Sequence, residues 1–120
     1  MGAVALDVQE VLRALSEPHR LELVRALRRS EQCVRELVEQ SGLAQPLVSH
    51  HLGKLMACGL VTRRHADGFT HYALDPAGLA AARAALDAVL DVEALPASAR
   101  PGGNDTCCRT AAQLTPHGGP

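Results

Sequence analysis

Apolar positions recur at helical spacing along most of the first ninety residues. Val8, Val11, Leu12 and Leu15 follow the i, i+3, i+4, i+7 pattern of an amphipathic helix. Ser16-Glu17-Pro18 breaks that helix, and Pro18 suits the first turn of a second one reaching about residue 29. On this second helix Leu21, Val24 and Leu27 share a face, with Leu23 beside them. A short third helix is predicted over residues 34–40, closed by Ser41-Gly42, where Gly42 fits the left-handed position after a helix end. After the turn Leu43-Ala44-Gln45-Pro46, a fourth helix covers residues 45–57 and stops at Cys58-Gly59. The period then changes. Residues 60–62 and 69–74 read as two short strands, and Asp67-Gly68 between them is a hairpin signal. Asp75-Pro76 opens a fifth helix, with Leu79, Leu86, Val89 and Leu90 along an Ala-rich surface that lets another helix approach closely.

Helix, helix, short turn, helix, hairpin is the order of a winged helix-turn-helix, mainly α with a small β-hairpin. In that arrangement the third helix supports the fourth, which is narrow enough to enter a DNA major groove. Val48, Leu52 and Leu55 share one face of the fourth helix and are expected inside. Gln45, Ser49, His50 and Lys54 fall on the other side. Gln and His reach base edges, Ser donates to bases or phosphate, and Lys supplies charge. Arg63, Arg64 and His65 lie on the wing, within reach of backbone or minor groove, and His71 on the second strand is a wing or phosphate contact. His51 points toward the core side and is expected to be packed and hydrogen-bonded. The same pattern also describes a plain solvated helix beside a surface hairpin.

Composition narrows the picture. With 120 residues, one Phe, one Tyr and no Trp, the chain suits a single domain whose core is Leu, Val and Ala. So small a core gains from a dimer interface. The net charge of −1 argues against purely electrostatic nucleic-acid binding. The charge is nevertheless uneven. Arg20, Arg25, Arg28 and Arg29 face only Glu22 over residues 18–30, and Lys54, Arg63 and Arg64 face only Asp67 over residues 45–74. After residue 92 the chain becomes rich in Pro and Gly, so the expected organisation is a domain over 1–92 and a flexible tail over 93–120. No apolar run is long enough for a membrane span, and the N-terminus has no secretion-signal pattern, so the expected location is the cytoplasm. Four cysteines there are expected as reduced thiols. No Cys-x-x-Cys, nucleotide loop or Ser-His-Asp grouping suggests an enzyme, and no catalytic residue is assigned.

Several segments taken together resemble the ArsR/SmtB family of metal-sensing repressors. They are Leu15-Ser16-Glu17-Pro18-His19-Arg20, Glu31-Gln32-Cys33-Val34-Arg35-Glu36-Leu37 and Ala44-Gln45-Pro46-Leu47-Val48-Ser49-His50-His51-Leu52. Leu55, Gly59-Leu60-Val61 and Gly68-Phe69-Thr70-His71-Tyr72-Ala73-Leu74 follow in order. The resemblance covers about half the chain. It implies a homodimer formed by the first and last helices, double-stranded operator DNA as partner, and repression by the unliganded dimer that an inducer relieves. No cofactor is then needed for DNA binding. Two positions depart from the family: Ala44 stands where a Ser or Thr cap is common, and His50 where Arg or Lys is common.

The inducer is read from the thiols. Residues 76–92 hold no His, which argues against the family's zinc, cobalt or nickel site on the last helix, since Asp87 and Asp91 alone are poor ligands for those ions. Thiolates select soft ions. Cys33 opens the third helix, whose dipole favours a thiolate. Its surroundings resemble the family's arsenic-sensing motif, but the second cysteine of that motif is replaced by Arg35. Cys107-Cys108 in the tail would restore three thiolates, the number arsenite and antimonite require. The 15 residues from Val92 to Cys107 give a flexible reach of roughly 20 Å. Cys58, at the end of the fourth helix, is either a further ligand or a small core residue; its partner position in cadmium- and lead-sensing members is Lys54 here. Arsenite or antimonite is therefore the expected inducer ion, with cadmium, lead or mercury as alternatives. Thiol oxidation is a different class of signal for the same residues.

Overall fold

The computed structural model describes residues 7–99. Helices α1 (Val8–Leu15) and α2 (Pro18–Arg29) lead into a two-residue strand β1 (Gln32–Cys33) and then α3 (Val34–Ser41) and α4 (Gln45–Ala57). Strands β2 (Val61–Ala66) and β3 (Phe69–Leu74) form the hairpin, followed by α5 (Pro76–Leu90) and two short 3₁₀ turns. The described residues divide into a first unit ending at Val89 and a second starting at Leu90. This is the expected winged helix-turn-helix, with one addition. The sheet has three antiparallel strands in the order β1-β3-β2, so β3 is central.

Local chemistry explains the boundaries. Asp7 caps α1 by accepting from the Gln9 amide at 3.0 Å. Glu17 caps α2 by accepting from the Arg20 amide at 2.9 Å, with Pro18 at the first helical position. Gly42 closes α3 in the left-handed conformation, as expected. Asp67 and Gly68 have φ of 55° and 79°, the paired positive values of a type I′ turn. That turn sets the register from Ala66 opposite Phe69 to Val61 opposite Leu74. The first wing strand therefore runs through Arg63, Arg64 and His65, well past the 60–62 segment its apolar residues mark, because β3 supplies a partner for every residue.

Val48, Leu52, Leu55, Leu37 and Leu60 are almost completely buried and form the centre of the core. Each contributes on the order of 1.5–3 kcal/mol by leaving water. Leu23, Ala26 and Leu27 are the buried face of α2. Leu21 and Val24 are only half-buried, so the inward face is rotated from the one predicted. On α1, Val11 and Ala14 point in, while Leu12 is 47% exposed. Leu12 satisfies the periodic pattern yet is left about half-exposed by the described residues.

Candidate nucleic-acid interface

Helices α3 and α4 and the connecting residues 42–44 make the helix-turn-helix. The inward face of α4 is Val48, Leu52 and Leu55, each 0% exposed. Gln45, Ser49, His50 and Lys54 all lie on its exposed side. One helix thus presents four polar side chains from a rigidly anchored backbone. Ala44 is the N-cap and offers no side-chain hydrogen bond to the first amides. Arg63, Arg64 and His65 are exposed on β2. His65 Nδ1 lies 2.9 Å from the Thr70 hydroxyl, which joins the two wing strands.

Arg64 has a partner that sequence reasoning left without a role. Its guanidinium donates to both carboxylate oxygens of Glu31, each at 2.7 Å. This fork-to-fork pairing is the strong geometry for Arg and a carboxylate. The bond to Arg64 holds the Glu31 carboxyl below its usual range, against slight desolvation, and Glu31 in turn raises the guanidinium. The pair is 33 residues apart in sequence, so no local pattern announces it. The register explains the meeting. Cys33 is opposite His71, and His71 is opposite Arg64. Residues directly across antiparallel strands share a face. Glu31, two residues before Cys33, has the same parity and bonds Arg64 across that face.

Of the thiols, Cys33 is half-buried and free. It is both the last residue of β1 and the N-cap of α3, and its amide donates to Glu36 Oε1 at 2.8 Å. Cys58 is free and buried within the core cluster, where its thiol donates to the Leu55 carbonyl at 3.5 Å. Burial pushes this thiol up, which disfavours the thiolate a soft ion needs. Its packing therefore favours the core reading over the ligand reading. Cys107 and Cys108 lie outside the described residues. Among the described residues no three His, Cys, Asp or Glu side chains gather closely enough to hold a metal ion.

His51 is buried as expected, at 5% exposure, but only half of its hydrogen-bonding capacity is used. Arg20 Nη1 stands 3.3 Å from its Nδ1, whereas Nε2 is buried without a partner among the described residues. Glu17 Oε1 is 3.9 Å from Nε2, beyond hydrogen-bonding distance. Desolvation lowers the His51 ring most. Glu17 opposes that, and the charges of Arg20, His50 and His19 reinforce it. Desolvation raises the Glu17 carboxyl, but its bond from the Arg20 amide and the neighbouring His51 and His19 leave it below the ordinary range.

Known proteins share this architecture and sequence. The profile of the family described as "Bacterial regulatory protein, arsR family" matches residues 17–63. A solved structure described as a possible transcriptional regulator for arsenical resistance is 34% identical, over 87% of this chain and 95% of that one, with a TM-score of 0.61. The chain belongs to the ArsR family. Its helix-turn-helix is thus that of a regulatory family rather than of an enzyme family. Another relative of this ArsR-family chain is the HTH-type transcriptional repressor SmtB of Mycobacterium tuberculosis, 53% identical over 44% of this chain. The match spans only 39% of that repressor's length. A third is the homodimeric winged helix-turn-helix DNA-binding domain of a possible ArsR-family regulator from Mycobacterium bovis. It is 28% identical over 72% of this chain and 80% of that one, with a TM-score of 0.57.

Proposed function

We propose that this ArsR-family chain is a homodimeric transcriptional repressor that acts in the cytoplasm and is released from its operator by a thiophilic ion. Residues 1–92 form the DNA-binding and dimerising domain, and residues 93–120 are the segment that carries the Cys107-Cys108 pair. Gln45, Ser49, His50 and Lys54 enter the major groove, while Arg63, Arg64 and His71 contact the backbone beside it. The observation that carries this reading is the division of α4 between buried Val48, Leu52 and Leu55 and exposed Gln45, Ser49, His50 and Lys54. The M. bovis relative, described as homodimeric, supports the dimer.

Cys33, Cys107 and Cys108 are the ligands, and arsenite or antimonite the first-ranked ion, since three thiolates match its pyramidal demand. The arsenical-resistance description of the 34%-identical structure supports that ranking. Cys58 stays outside the ligand set because its thiol is buried and bonded to Leu55. Ligation ties the tail to the residue that joins β1 to α3, and so shifts the spacing of the two recognition helices from that of the operator half-sites.

The test is fluorescence anisotropy of the reduced protein on a labelled duplex from its own promoter, titrated with arsenite. Release at near-stoichiometric arsenite, abolished in Cys33→Ser, is the expected result. Release that persists unchanged in Cys33→Ser removes this ligand set. Binding that arsenite leaves intact moves the same assay to cadmium, lead and mercury. Release by peroxide alone would assign thiol oxidation instead.

A further inference from the structure

Arg20 sits where three helices meet. From α2 its Nε donates to the Ala14 carbonyl of α1 at 2.8 Å, and its Nη1 reaches His51 of α4 at 3.3 Å. Its amide is held by the Glu17 carboxylate at 2.9 Å. A guanidinium only donates, so Nδ1 of His51 accepts and the neutral ring carries its proton on Nε2. That proton points into a buried space without an acceptor. The ionisable groups facing the ring are Glu17 at the N-cap of α2, His19 and Arg20 on α2, and His50 on α4. The His19 and His50 ring centres are 5.8 and 5.6 Å from that of His51.

We propose that His51 is a positioning residue for the recognition helix: its neutral ring fixes α4 to α1 and α2 through Arg20, and its protonation releases this bracket and weakens DNA binding. The geometry makes the change one-directional. A proton on Nδ1 turns the acceptor into a donor facing the Arg20 donor, with like charges 3.3 Å apart. The remaining favourable partner is Glu17, 3.9 Å from Nε2, and that carboxylate already caps α2. If Glu17 turns to the imidazolium, α2 loses its cap. If it does not, the charge stays buried without a hydrogen bond. Either outcome displaces α4 relative to α1 and α2, one residue away from His50 on the exposed face. The inference rests on the DNA-binding reading above and is independent of which ion is sensed.

The direction with pH follows. The folded ring titrates below the ordinary value of 6.5, chiefly through desolvation. The bracket is complete above that value and is lost as pH falls from 6.5 through the folded-state value. Comparison with His51→Asn isolates this effect from every other pH-dependent group, because only residue 51 differs. Asn keeps an acceptor near the Nδ1 position and cannot be protonated.

The experiment measures operator affinity of the full chain by anisotropy at pH 8.0 and pH 5.5, using a labelled promoter duplex. Each protein's affinity at pH 5.5 is compared with its own at pH 8.0, so any pH-independent effect of the substitution drops out. At pH 5.5 the parent is expected to lose more affinity than the variant, by less than about 10-fold because the ring titrates below 6.5. Identical pH profiles overturn the proposal while leaving the DNA-binding reading standing. No binding at any pH overturns both. Should His51→Asn not fold, NMR titration of the parent decides the matter. Reciprocal linkage requires the His51 midpoint to fall further in the DNA complex. A midpoint equal in the free and bound protein overturns the proposal.

Discussion

Helices α4 and α5 are similar in length, 13 and 15 residues, and both carry apolar stripes, yet they are buried very differently. On α4 the stripe is filled: Val48, Leu52 and Leu55 have no exposed surface. On α5 Ala82 alone is buried, and Val89 and Leu90 are 65% and 67% exposed. An apolar pattern states which face seeks burial. It does not state whether the same chain provides the partner. For α4 the partners are α2 and α3 of its own domain. For the end of α5 the described residues provide none, which is the surface a second copy would cover under the dimeric reading.

The sharpest way to break this contrast is to truncate one leucine from each helix. Leu52→Ala is expected to cost about 2–5 kcal/mol in urea denaturation. Leu90→Ala, measured at a concentration dilute enough for the monomer, is expected to change stability by no more than about 0.5 kcal/mol. Equal losses would mean that α5 is as fully packed as α4.

A smaller effect is expected where the two helices are connected. Gly78, in the first turn of α5, lies so close to Gly59 that an added Cβ would stand 1.7 Å from the Gly59 carbonyl oxygen. That atom is backbone in the turn that follows α4 and has no rotamer with which to yield. Gly78→Ala is expected to cost about 1–3 kcal/mol. It would appear as a clear drop in the melting temperature followed by circular dichroism. An unchanged melt would show that α5 can slide away from α4 freely.

The smallest effect is expected on the wing. Glu31→Gln removes the carboxylate from Arg64, and both side chains reach solvent, so the melting temperature is expected to hold. What changes is the freedom of the guanidinium. If Arg64 contacts phosphate, log–log plots of operator affinity against salt should steepen by up to about 1 in Glu31→Gln. An identical slope would remove Arg64 from the interface.

Much of this architecture was legible in the residues, for a physical reason. Helix periodicity, Pro18 at a helix start, Gly42 at a helix end and Asp67-Gly68 in a turn are local constraints, and the helices and the hairpin turn formed where local chemistry placed them. The exposed polar face of α4 followed from the same periodicity. What was not legible depends on residues distant in sequence. Strand β1 is two residues long, too short for any alternation, and exists only because β3 pairs with it. Glu31 reaches Arg64 across 33 residues, and Arg20 reaches His51 across 31. The inward rotation of α2 toward Leu23 likewise depends on where α3 and α4 lie.

The central place of β3 gives the wing a mechanical character. A hairpin attached only by its own two strands would flex independently of the helices behind it. Here β3 is also stitched to β1 at Gln32–Tyr72 and Cys33–His71, and β1 runs without a break into α3. Geometrically the wing is an arm whose fulcrum lies at residue 33. From His71 to the tip at Gly68 the arm extends about 10 Å. A small rotation at the fulcrum therefore becomes a larger sweep at the tip.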